Sequence, residues 1–164
     1  ADAIELRGTV EGLAVRLAAE RGAPREVVTQ ANRCLDEIDL VLREPVLDEA
    51  AFSRYVDLNA QFHTLLAALA ASPVIERELE RVGSLPFASP SGFVGVQANS
   101  LKGRDMLIVA QDQHRQVMQA ITQREGTRAE AMMREHSRLA QRNLRDALQS
   151  PLHLPGVHLI SPNV

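Results

Sequence analysis

The chain has 164 residues, a formal net charge of −3, 45% apolar residues, no Trp, one Tyr, four Phe and one cysteine. The length suffices for one domain with a real core, and the acidic balance excludes a global electrostatic pull towards nucleic acid or an anionic membrane surface. A lone Cys34, no apolar run near the roughly 20 residues of a membrane span and no signal-peptide pattern lead to the expectation of a soluble, cytoplasmic domain.

Leu, Val, Ala, Ile and Met supply most of the apolar content, and no segment alternates with strand period, so the composition predicts an all-α fold. The first segment, about Ala3 to Glu20, repeats apolar residues at Leu6, Val10, Leu13, Ala14 and Leu17 with helix period, with Arg7 at the stripe's edge. Gly22 and Pro24 supply a stop and a restart. The second helix is predicted to reach about Glu44, with Val27, Val28, Leu35, Ile38 and Leu42 inward, its Arg, Asp and Glu in solvent, and Pro45 ending it.

Asp48 can cap a third helix to about Ala71, whose stripe is Phe52, Tyr55, Asn59, Phe62, Leu66 and Leu69, with His63 one turn beyond Asn59. Ser72-Pro73 ends it and opens a short fourth helix to about Val82. From Gly83 to about Gly95 the chain reads as a loop too long for a bare connector, with Phe87 and Phe93 expected to pack down. A fifth helix, about Ala98 to Gln123, carries Leu107, Ala110, His114, Val117, Met118 and Ile121 on one face, and Gly126 stops it. Thr127-Arg-Ala-Glu130 reads as a capping box for a sixth helix to about Leu148, with Met132, Met133, His136, Leu139, Ala140 and Asn143 inward. The result is an antiparallel bundle of six to seven helices over residues 1–149, followed by a Pro-containing, non-helical tail, 150–164, where His153 and His158 are expected at the surface.

Three histidines and one amide thus interrupt apolar stripes on three helices. Burying four such groups costs several kcal/mol unless each finds a partner, and one divalent cation would satisfy all four. Imidazoles from separate helices with one oxygen donor suit Zn, Ni, Mn or Fe with positions left open. The competing reading is three unrelated core histidines with one hydrogen bond each. Cys34 reads as a small buried apolar residue, and the arginines of the last helix, interleaved with Glu130, Glu135 and Asp146, as a solvated or subunit-facing surface. His-Glu-x-x-His, Glu-x-x-His, phosphate-loop and Gly-x-Ser-x-Gly patterns are all absent, and nothing around Lys102 suggests Schiff-base chemistry, so an enzyme is not expected.

Leu6-Arg7-Gly-Thr-Val-Glu11 with Leu17-Ala-Ala19, then Asn59-Ala-Gln-Phe-His63, Gln113-His114 with Ala120-Ile121, and Ala129-Glu-Ala-Met-Met-Arg-Glu-His136 together resemble the FCD domain. This is the C-terminal, effector-binding domain of the FadR branch of GntR transcription regulators, and the resemblance runs from about Asp2 to Leu148. It implies a dimerising helical bundle holding a divalent cation with one Asp and three His at the base of a small-molecule pocket. Carried over, the ligands would be Asn59, His63, His114 and His136. Asn59 stands where the family most often has Asp, and a neutral amide offsets no positive charge, so weaker binding is expected. Asp57 lies about 200° away around the helix and cannot simply substitute. The resemblance also implies an N-terminal winged helix-turn-helix, expected to lie outside this chain, so that DNA is contacted only through that separate module.

The leading expectation is a regulatory domain that senses a small carboxylate metabolite. Arg7 is a candidate bidentate partner of that carboxylate, with an i,i+4 salt bridge to Glu11 as the equal alternative. Asn143, two turns after His136 on the same face, is a candidate pocket contact. The alternatives are a metal-dependent hydrolase, for which no general acid or base stands out, and a metal-free helical ligand-binding or dimerisation domain.

Overall fold

A computed structural model describes residues 2–85 and 101–149, with side chains from 2 to 85 and from 103 to 142. Within these residues the chain forms α1 (Asp2–Arg21), α2 (Arg25–Leu42), α3 (Glu49–Leu69), α4 (Pro73–Gly83), α5 (Leu101–Thr122) and α6 (Gly126–Gln149). No strand occurs among them. Phe87, Phe93 and the loop expected around them, the tail with His153 and His158, and the side chain of Asn143 lie outside the described residues.

Local chemistry sets several ends. Asp48 accepts a 2.8 Å hydrogen bond from the Ala51 backbone N–H at the start of α3, and Ser72 caps α4 with Pro73 in its first turn. The end of α2 is held by Arg104 of α5, whose guanidinium donates to the carbonyls of Leu42 at 2.7 Å, of Pro45 at 3.1 Å and of Glu44. The capping box expected at Thr127 does not form. Ala129 already bonds back to the Glu125 carbonyl, so α6 opens earlier, and the Glu130 carboxylate turns to Arg16 and Arg134. Between α5 and α6 the left-handed residue is Arg124 (φ 64°), not Gly126. Gly126 instead lies close against α1: a Cβ there would sit 2.9 Å from Cγ of Glu20, a half-exposed side chain that would have to shift.

Contacts between neighbours run in opposite sequence directions. Ile4 meets Ser137 while Glu20 meets Gly126; Asp36 meets Arg115 while Leu42 meets Arg104; Cys34 meets Leu58 while Glu37 meets Arg54. Of these pairs only α2 and α3 are consecutive, joined by a short connection that favours antiparallel packing; α1 with α6 and α2 with α5 are brought together by the bundle. The core runs through all of them except α4, with Val15, Leu35, Ile38, Phe62, Leu66, Val117 and Met133 at its centre. Cys34 lies in it as expected, its thiol donating to the Leu58 carbonyl at 3.2 Å.

α1 departs most from its sequence pattern. Leu6 and Leu13 are 40% and 41% exposed, whereas Arg7, Gly8, Glu11 and Gly12 are buried. The helix contacts α3, α4, α5 and α6 on its buried side, where small residues set the approach distances, and Leu6 and Leu13 fall on the exposed face. At Gly8 an added Cβ would lie 2.4 Å from Cβ of Ser137, whose hydroxyl donates to the Ile4 carbonyl. Neither atom is the free end of a flexible chain. Gly8→Ala gains about 1 kcal/mol of helix propensity but forces α1 and α6 apart at about 1–3 kcal/mol. A net fall in the thermal unfolding midpoint is expected; a rise would contradict this close approach.

Candidate metal centre

α3 places Asn59 and His63 one turn apart on its buried face, α5 contributes His114 and α6 contributes His136. All four side chains are buried, and His114 is wholly inaccessible. The three histidines converge: one ring nitrogen from each lies within 4.8 Å of the others. Ring centroids are 4.4 Å apart for His114 and His136, and 5.4 Å from His63 to each. Phe62 backs the group, its ring 4.5 Å from that of His114.

Each imidazole is held from its Nδ1 side by an oxygen. Nδ1 of His63 lies 2.7 Å from Oε1 of Glu11, Nδ1 of His114 lies 3.2 Å from Oε1 of Gln111, and Nδ1 of His136 lies 3.2 Å from Oε1 of Gln113. Gln111 is itself fixed, because its amide nitrogen donates to the Leu35 carbonyl at 2.9 Å and to Oδ1 of Asp39 at 2.8 Å. Its oxygen must therefore accept from His114. With Nδ1 carrying the proton on His114 and His136, their Nε2 atoms present lone pairs.

Those lone pairs have no proton to share. Nε2 of His114 and Nε2 of His136 are 3.1 Å apart, and buried Nε2 of His63 has no hydrogen-bond partner. Burial, reinforced by the neighbouring imidazoles, holds His114 well below the usual histidine range. Burial, with His63, likewise pushes His136 down to about 3. Both are neutral near pH 7, the form that ligates metal. Adjacent nitrogens bound to one cation at about 2.0–2.1 Å stand about 3.0–3.4 Å apart, which brackets the His114–His136 separation. The donor set therefore fits a divalent cation, with the Nδ1 acceptors fixing tautomer and ring orientation.

Glu11 is the residue that sequence reasoning treated only as a partner for Arg7. It is buried, with Oε1 on His63 and Oε2 3.5 Å from Nε of Arg7. Burial favours its neutral form, but the opposing pull of His63 and Arg7 outweighs this and holds the carboxyl at about 2. The available signal was glycine spacing. Gly8 and Gly12 lie on the face that meets α6, and a helix packed that closely buries Arg7 and Glu11 as well.

Arg7 thus makes the ion pair foreseen as one of its two readings, and it also reaches open space. A cavity of about 320 Å³ lies beside His63 between α1, α3 and α4, walled by Arg7, Glu11, Thr64, Glu76 and Leu79 among others. Such a volume suits a small metabolite. Asn143 lies on α6, seven residues beyond His136.

A family model for the FCD domain matches residues 2–139. No curated protein matches the chain.

Proposed function

The chain belongs to the FCD domain family, and from that premise we propose that it is the ligand-sensing domain of a GntR/FadR-type transcription regulator. FCD domains are regulatory domains of transcription factors, not enzymes. The proposed effector is a small carboxylate metabolite. A divalent ion (Zn, Ni, Mn or Fe) would be held by His63, His114 and His136, with the Asn59 amide oxygen as fourth ligand. The ion, when bound, supplies a Lewis-acid anchor for an effector oxygen.

The observation that carries this reading is the convergence of three buried imidazoles, two with Nε2 atoms 3.1 Å apart and the third with Nε2 unpartnered. The cavity beside His63 supports this reading, being large enough for a small metabolite. Arg7, on the cavity wall, is the proposed carboxylate partner, exchanging part of its pairing with Glu11 for the ligand. Asn143 is the proposed second contact. No helix is long and apolar enough to cross a membrane among the described residues. We further propose residues 1–149 as the sensing unit, with 150–164 as its tail, a homodimer in the cytoplasm, and DNA contact through a separate N-terminal winged helix-turn-helix. Ligand binding would then bias the relative placement of helices, and through the dimer that of the DNA-binding modules.

A thermal-shift panel of small carboxylates, run on metal-loaded and on chelated protein, tests the proposal. Metal at a thousandfold excess over its dissociation constant adds about 4 kcal/mol. For a chain of this length that raises the midpoint by about 8–16 °C. At least one carboxylate is expected to raise it further, and only in loaded protein. Absence of stoichiometric metal in gently purified protein, together with carboxylate binding unaltered by His63→Ala, would sink the reading.

A further inference from the structure

We propose that Glu11 supplies the anionic charge that Asn59 does not, acting on the metal through His63 rather than by direct ligation. The inference rests on the metal-site reading above. With Asn59 in the ligand set, every proposed protein ligand is neutral, so a divalent charge would enter a buried site with no ligating anion. Such a charge needs a compensating anion close by. Glu11 is the buried carboxylate that touches the cluster: Oε1 lies 2.7 Å from Nδ1 of His63, on the far side of the ring from the unpartnered Nε2.

A carboxylate on Nδ1–H makes the imidazole a stronger donor at Nε2 and fixes the ligating tautomer. The amide oxygens behind His114 and His136 orient their rings in the same way but bring no charge. The contribution of Glu11 is therefore different in kind from that of Gln111 and Gln113. Nε of Arg7, 3.5 Å from Oε2, sets a positive charge beside the other carboxylate oxygen.

The test is Zn²⁺ affinity, measured by competition with a chromophoric chelator, in wild type and three variants. Glu11→Gln keeps an oxygen acceptor for Nδ1–H and removes the charge; affinity is expected to fall about 10–100-fold. Because this leaves the Arg7 guanidinium buried without its anion, the double variant Arg7→Gln/Glu11→Gln removes both charges and is expected to lose affinity similarly. Circular dichroism and thermal unfolding of the chelated proteins establish that each is folded. Asn59→Asp in the Glu11→Gln background restores a carboxylate at the metal itself, and most of the lost affinity should return. Folded Glu11 variants that hold Zn²⁺ as tightly as wild type would overturn the role of Glu11 and leave the site standing. Loss without rescue by Asn59→Asp would assign Glu11 a structural part only, which also overturns the proposal. Wild type that takes up no stoichiometric Zn²⁺ would defeat the metal site itself, and this inference with it.

Discussion

His114→Ala is expected to lower Zn²⁺ affinity by a hundredfold or more while leaving a folded helical domain. His114 is the innermost of the three imidazoles, within reach of His136 on one side and fixed by Gln111 on the other. Structural zinc sites gain about 10–16 kcal/mol from the whole ligand set, so one ligand in four accounts for about 3 kcal/mol. Truncation also leaves the Gln111 oxygen without its donor, a cost that falls on stability with or without metal. Comparing unfolding in chelator with unfolding in saturating Zn²⁺ separates the two effects. The gap between those midpoints should largely close in His114→Ala. A gap as wide as in wild type would show that metal stabilises the protein from some other site.

Phe62→Ala should damage both the core and the centre. Phe62 is fully buried, its ring 4.5 Å from His114 and edge-on to His63 with centroids 6.1 Å apart. Deleting it removes a fully buried ring from the core, at a cost of about 3–5 kcal/mol. At about 2–4 °C per kcal/mol, the chelated protein should unfold about 6–20 °C lower. Metal affinity should fall as well, because His114 loses the surface that limits its ring to one pose. An unchanged midpoint in chelator would contradict the placement of Phe62 at the centre of the core. A lower midpoint with full metal affinity would contradict its part in positioning His114.

What was legible in the sequence follows from what makes a signal periodic. α3, α5 and α6 each bury one apolar stripe, so a histidine breaking that stripe is visible at 63, 114 and 136, and the structure brings all three together. α1 gave the opposite signal. Its leucines at 6 and 13 lie at the surface, and its buried residues include glycines and the Arg7–Glu11 pair, because the face that packs closely on α6 carries small residues. Hydrophobic periodicity assumes that the apolar stripe is the buried one, and it misplaces the faces of a helix whose buried side is built from small and ion-paired residues. The glutamines were hidden for another reason. Gln111 and Gln113 both lie just before His114 in sequence, yet Gln113 serves His136 on the next helix, a pairing that depends on how α5 and α6 are placed against each other. The α6 start was misplaced because Thr127 to Glu130 has capping-box spacing while Arg16 on α1 offers Glu130 a competing partner.

The central claim is that His63, His114 and His136 share one metal ion. X-ray absorption at the edge of whichever metal copurifies with the protein tests it most directly. Three imidazole nitrogens at about 2.0–2.1 Å, with one or more oxygens, are predicted for Zn, and His136→Ala should remove one nitrogen from that shell. A spectrum without imidazole scattering, or one unchanged by His136→Ala, would contradict the account.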